Sequence, residues 1–306
     1  MNAAMRIPAE RMPSVRGRLA SNEPMAAHCS WRAGGTADWF FEPADRADLQ
    51  HFLAQLDAGL PITWIGLGSN LLVRDGGLRG VAIAPLKGLR ALAIDGERVT
   101  AEAGVSCARL ARDTARAGLG GLDFLAGIPG TVGGALAMNA GAFGGETWER
   151  VESVETIDRQ GEIRQRSRDE FAIGYREVGG LEAGEWFLSG RFRLPPRSAD
   201  SGAEIKPLLE RRNRTQPIGQ PSCGSVFRNP PGDHAARLIE ACGLKGHCIG
   251  GACVSQKHAN FIINTGDASA ADIESLIQFV RDTVRREFGI QLQPEVHIVG
   301  EQGGRS

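Results

Sequence analysis

Gly127-Ile128-Pro129-Gly130-Thr131-Val132-Gly133-Gly134-Ala135, running on through Asn139-Ala140-Gly141-Ala142-Phe143-Gly144-Gly145, is the stretch whose reading decides this chain. Seven of the nineteen residues from Gly127 to Gly145 are glycine, against 41 in 306 for the whole chain, so the excess is local. Backbone without Cβ atoms lets N–H groups approach an anion, and positive φ lets successive N–H groups converge on it. Thr131 and Asn139 add short hydrogen-bonding side chains. Taken alone, the stretch is equally well explained as a run of tight turns and bulges.

A second glycine loop lies upstream: Gly66-Leu67-Gly68-Ser69-Asn70-Leu71-Leu72-Val73-Arg74-Asp75-Gly76-Gly77. Neither loop fits a standard phosphate motif. The chain contains no Gly-Lys pair, so it has no Walker A loop, and Gly66-x-Gly68-x-x-Leu71 lacks the third glycine of the dinucleotide fingerprint. A nucleotide would have to be held in another way.

Around the loops, helix and strand signals mix. Leu49, Phe52, Leu53 and Leu56 share one helical face, and Ile62 to Ile65 and Val81 to Ala84 are short apolar strands. Two strands flank Asp95-Gly96, and Cys107, Leu110, Ala111 and Thr114 mark a helix closed near Gly118. Strands follow at 151–157, 163–166 and 186–194, and Ser167 to Glu170 has capping-box spacing for one helical turn. Pro195, Pro196, Ser198, Ser201 and Gly202 form the best linker. Beyond it come helices near 205–212 and 235–242. The longest helix carries Ile273, Leu276, Ile277, Val280, Val284 and Phe288 and stops at Gly289, and a last strand at 291–299 contains Pro294.

These signals predict an α+β chain. Residues 1–24 read as a loosely ordered basic lead-in, because no apolar segment follows Arg6, Arg11, Arg16 and Arg18 as a signal peptide requires. Net charge is -1 with scattered Lys and Arg, which argues against a nucleic-acid partner, and no run of about 18 apolar residues exists to span a membrane. The six cysteines, Cys29, Cys107, Cys223, Cys242, Cys248 and Cys253, read as reduced thiols of a cytoplasmic protein. Their spacing around His247 and His258 is not the paired Cys-x-x-Cys of structural zinc, so no metal is assigned.

The two loops resemble those of the UDP-N-acetylenolpyruvoylglucosamine reductases. The likeness continues in order through Arg32-x-Gly34-Gly35, Gly174-Tyr175-Arg176, Gln216-Pro217, Gly224-Ser225-Val226-Phe227-Arg228-Asn229-Pro230, Lys257-His258-Ala259-Asn260-Phe261 and Pro294-Glu295-Val296. Each motif is weak singly; six in order beside the loops are specific. The resemblance implies a two-subdomain FAD-binding fold of the vanillyl-alcohol-oxidase type over 25–197, divided at about 85, and a smaller α+β substrate-binding domain over 204–300. It implies FAD held non-covalently by Gly66, Gly68, Ser69, Asn70 and Leu71, and by Gly127, Ile128, Pro129, Gly130, Thr131, Gly133, Gly134, Asn139, Ala140 and Gly141. Tyr175, Arg228, Asn229, Lys257 and Asn260 would bind the UDP-sugar.

The family transfers hydride from NADPH to FAD and then to C3 of an enolpyruvyl ether, giving UDP-N-acetylmuramate for peptidoglycan. By the resemblance, Ser225 donates the proton to C2, Arg176 polarises the substrate carboxylate and Glu295 is the third catalytic group, expected to have a raised pKa. Arg228 stands where the family usually has lysine, offering a fork in place of a point charge. Tyr175 is the only tyrosine, so the chain resembles members without a substrate-covering tyrosine loop. The resemblance further suggests a monomer in the cytoplasm. The alternative is an FAD-dependent oxidase of another alcohol or sugar on the same fold, which would need no proton donor to C2.

Overall fold

A computed structural model of the chain describes residues 8, 10, 12–197 and 205–303. Two compact units emerge, and both are assembled from separated segments. The first comprises Met1–Ser21, Asp38–Leu67 and Gly80–Glu210; the second comprises Asn22–Ala37, Gly68–Arg79 and Arg211–Ser306. The boundaries expected from sequence run differently, because two short segments from the first quarter of the chain join the C-terminal third. The linker expected around 197–203 falls mostly outside the described residues. Of the expected lead-in, Arg18–Pro24 is a strand, and Arg16 and Arg18 pair with Asp45 and Glu42 in the first unit.

The first unit has two sheets. Four strands lie in the order Arg18–Pro24, Thr36–Glu42, Leu78–Ile83 and Ile62–Trp64, the last two parallel. Helix α1 (Arg46–Gln55), started by Asp45 accepting from the Asp48 N–H, buries Leu49, Phe52 and Leu53, the face predicted from their spacing. The second sheet has five antiparallel strands in the order Ile163–Ser167, Val151–Asp158, Glu185–Arg193, Arg98–Glu102 and Leu92–Asp95. Its hairpins turn at Gly96 (φ 55°), as the Asp95-Gly96 pair predicts, and at Gly161 (φ 79°). Helix α2 (Cys107–Arg116) packs Cys107, Leu110 and Ala111 into a core with Trp148, Phe187 and Phe192.

Helix α4 (Ile205–Thr215) crosses the division between the units, its residues to Glu210 counting with the first and the rest with the second. Helix α5 (Ala235–Ala241) and the 19-residue α6 (Ala270–Phe288) share a core with the Cys248–Ile249, Ala252–Val254 and Ile262–Asn264 strands. Trp31 is wholly buried in it and donates its indole N–H to the Ile262 carbonyl. The strand expected over 291–299 is shorter, His297–Val299, and pairs in parallel with Leu71–Val73; Pro294, which has no N–H, precedes it. Asp75, in the first glycine loop, accepts from the Ala270 and Ala271 N–H groups at 2.9 Å each, so it holds the start of α6 beside the Ser269–Asp272 capping box.

The cysteines correct one expectation. Cys248 and Cys253 are disulfide-bonded, while Cys29, Cys107, Cys223 and Cys242 are free. The two half-cystines face each other directly across an antiparallel ribbon, with Cα atoms 4.1 Å apart. Spacing in sequence cannot reveal that pairing without knowledge of the register. Alkylation of unfolded, unreduced protein should therefore modify four cysteines by mass and all six after reduction; six without reductant would contradict the bond. Asp75→Ala should lower stability by about 1–2 kcal/mol in urea unfolding, through loss of two charge-assisted bonds at a helix N-terminus.

Candidate functional site

The principal glycine stretch is not wholly a loop. Thr131 accepts from the Gly134 N–H and caps a short helix, α3 (Val132–Ala137), so two of the glycines lie in its first turn. Backbone bonds from Cys107 to Gly130, from Val132 to Val105 and from Gly133 to Ala103 lay the stretch along the turn before α2. A Cβ at Gly133 would stand 2.9 Å from that of Ala103, which explains this glycine by close approach. Gly134 is exposed, and a Cβ there would find only Thr131 Oγ1, at 3.8 Å. At Gly66 a Cβ would stand 3.0 Å from the same hydroxyl oxygen, so the end of the first loop's strand meets the second loop at Thr131. Bare backbone at Gly134 thus forms the local surface, above the Thr131 hydroxyl, which is itself nearly buried. That donor set fits a flavin dinucleotide, with Gly66, Gly127, Ile128, Pro129, Gly130, Thr131, Gly134, Ala140 and Gly141 available to it.

Asn139 has a different task from the one expected. It is wholly buried at φ 42°, and its amide donates to Glu146 Oε2 (2.8 Å) and the Gly174 carbonyl (3.0 Å) while accepting from the Trp148 N–H (3.1 Å). Its side chain braces the loop instead of reaching a cofactor. Arg176 sits in the two-residue turn between the strands Ala172–Gly174 and Glu177–Gly179, at φ 57°. Its guanidinium donates to the carbonyls of Asn139 (3.3 Å) and Gly141 (2.5 Å) and stands 4.9 Å from the centroid of the half-exposed Tyr175 ring. A non-glycine residue in the left-handed region costs on the order of 1 kcal/mol and persists only where its surroundings hold it. Asn139, Phe143 (φ 54°) and Arg176 bring three such residues to this part of the first unit.

In the second unit, Gly68 (φ 67°) passes over the His28 carbonyl, where a Cβ would overlap at 1.9 Å, so its glycine is structural. Ser69 and Leu71 flank Asn70, whose amide donates to the Glu295 carbonyl at 3.0 Å. The Glu295 N–H in turn donates to the Val226 carbonyl at 2.7 Å. The structure therefore brings Glu295 beside the residue that follows Ser225, and it does so through backbone. Ser225 is flanked by Gly224 at φ 71° and by buried Cys223, whose thiol donates to the Leu71 carbonyl (3.5 Å) and which burial pushes up to about 12.

Two residues expected to bind substrate are engaged within the fold. Asn260 is buried, with both amide groups bonded to Phe227, and Asn229 Oδ1 accepts from the Ala235 N–H at the start of α5. Lys257 is exposed and donates to the Asn213 carbonyl. Arg228 is fixed by its N–H on the Gln293 carbonyl. No local pattern in the sequence signals the Asn260 bonds, because Phe227 lies 33 residues away. Among the described residues, no group of three or more His, Cys, Asp or Glu side chains could hold a metal ion, and no helix is long and apolar enough to cross a membrane.

Comparison with known proteins finds a family match for each of two parts of the chain. Residues 37–167 match the FAD binding domain family, and residues 216–299 match the C-terminal domain of UDP-N-acetylenolpyruvoylglucosamine reductase. The reductase of that name from Alkalilimnicola ehrlichii is 62% identical over 93% of this chain and 96% of its own, and that from Methylococcus capsulatus is 57% identical over 94% of each. The crystal structure of the Thermus caldophilus enzyme (MurB) superposes with a TM-score of 0.79 at 32% identity, covering 93% of this chain and 99% of that one. The chain belongs to the UDP-N-acetylenolpyruvoylglucosamine reductase family.

Proposed function

We propose that this chain reduces the enolpyruvyl ether of UDP-N-acetylglucosamine to UDP-N-acetylmuramate, with Ser225, Arg176 and Glu295 as its catalytic residues. The observation that carries the assignment is the 2.7 Å bond from the Glu295 N–H to the Val226 carbonyl, which fixes Glu295 next to the Ser225 segment. FAD, held by the two glycine loops, would supply the hydride chemistry, with NADPH as reductant and C3 of the substrate as acceptor. Negative charge then develops at C2 and spreads into the adjoining carboxylate. Ser225 gives its hydroxyl proton to C2. A serine hydroxyl is a weak acid, so it needs a neighbour that stabilises the oxygen left behind, and Glu295 in its protonated form would supply that hydrogen bond. Arg176 presents a planar cation to the carboxylate; its turn is held by the carbonyls of Asn139 and Gly141 in the flavin loop.

In this assignment Gly66, Gly68, Ser69, Leu71 and the Gly127–Gly141 backbone hold the cofactor, while Asn70 and Asn139 serve it by bracing those loops. Tyr175, Arg228 and Lys257 remain for the UDP-sugar. We infer further that the chain works as a monomer in the cytoplasm, where its reductant and nucleotide sugar are made available.

The test is an anaerobic absorbance trace in which NADPH bleaches the yellow protein and the enolpyruvyl UDP-sugar restores its colour. Ser225→Ala should bleach normally and recolour at least about 100-fold more slowly, as expected when a transition-state donor is removed. Wild-type recolouring in that variant would refute the role of Ser225. Arg176→Gly should lose recolouring to a similar extent yet change thermal stability little, since glycine relieves the φ 57° turn as the carbonyl bonds are lost. Loss of flavin from Arg176→Gly would make that residue structural instead.

A further inference from the structure

We propose that Asn260 is a positioning residue for proton transfer, acting on Ser225 through the backbone of Val226 and Phe227. Its side chain is 4% exposed and forms a two-way clasp on a single residue: Oδ1 accepts from the Phe227 N–H at 3.0 Å and Nδ2 donates to the Phe227 carbonyl at 2.8 Å. The Asn260 carbonyl adds a bond from the Val226 N–H at 2.9 Å. An amide is the group suited to this, because it offers one donor and one acceptor in a plane, as a neighbouring strand would.

The clasp is itself rigid. Within the turn from Ser255 to Phe261, Ser255 Oγ accepts from the N–H groups of Lys257 (3.1 Å) and His258 (3.3 Å), and the Ser255 N–H donates to the Phe261 carbonyl (2.8 Å). On its other edge the Ser225 segment takes the Glu295 N–H on the Val226 carbonyl and the Gln293 carbonyl on the Arg228 N–H. Upstream, Cys223 is anchored by its thiol. Ser225 is therefore the hydroxyl-bearing residue of a segment tied on both edges. Asn260 supplies three of those ties without itself being placed to meet substrate. A displacement of about 1 Å of a reacting group can cost about 100-fold in rate, so the clasp matters to chemistry out of proportion to its contribution to folding.

The proposal rests on Ser225 being the proton donor, and the experiment separates the two. Asn260→Asp keeps the acceptor for the Phe227 N–H but turns an oxygen toward the Phe227 carbonyl. In the FAD-bound full-length protein it should be reduced by NADPH within about twofold of wild type. It should recolour about 10- to 100-fold more slowly at saturating substrate with little change in KM, and show a larger solvent deuterium isotope effect on that step. Asn264 provides the control: it is equally buried and bonds the Trp31 carbonyl and the Gly266 and Ala268 N–H groups, so Asn264→Ser should cost stability without a selective loss of recolouring. Equal slowing of both half-reactions in Asn260→Asp, or a rise in KM alone, overturns the positioning role. If Asn260→Asp does not retain flavin, Asn260→Ser gives the same comparison; flavin loss in both, with Asn264→Ser still yellow, also overturns it in favour of a purely structural residue. A blocked Ser225→Ala beside a normal Asn260→Asp removes only this inference, whereas a normal Ser225→Ala removes the assignment beneath it.

Discussion

The hydrogen bond from the Glu295 N–H to the Val226 carbonyl is the constraint on which the rest of the second unit's site depends. It joins two segments that share no local sequence relation and sets their register, with Phe227 standing opposite Pro294. Asn70 extends the same line by holding the Glu295 carbonyl, and Asn260 closes its other side on Phe227. Each bond contributes only about 1 kcal/mol net, but breaking one strands a buried partner at a cost of about 1–3 kcal/mol. The array is therefore much stiffer than its net energy suggests.

The first unit solves a related problem with conformation more than with side-chain partners. The glycines of its Gly127–Gly145 stretch fall into two kinds. Gly133 is glycine because Ala103 leaves no room for a Cβ, whereas Gly134 faces outward and leaves backbone as the surface. Beside them, Asn139 and Arg176 accept left-handed backbone that glycine would adopt without strain. Asn139 is held there by three side-chain bonds, and Arg176 by the carbonyls it reaches. Retaining side chains at strained positions makes sense where their chemistry is needed.

Four asparagines expected to touch ligands, Asn70, Asn139, Asn229 and Asn260, have side-chain amide groups engaged by the protein. Their types were legible and their tasks were not, because a motif reports which residues recur together and not which atoms are already bonded. The Cys248–Cys253 pair failed for the same reason, since ribbon register decides whether two cysteines face each other. Helix α3 was hidden because a capping threonine can start a helix even through two glycines.

Local signals in the sequence sufficed for the elements whose causes are local: the apolar faces of α1 and α6, the Gly289 stop at φ 69°, and the hairpin turns at Gly96 and Gly161. The ordered motifs sufficed for the family and its chemistry. Tertiary structure alone decided that Asn22–Ala37 and Gly68–Arg79 fold with the C-terminal third, that Asp75 serves α6, and that Glu295 lies beside Val226. Those depend on long-range bonds to backbone groups, and the side-chain periodicities that a sequence displays carry no record of which distant acceptor an N–H will meet.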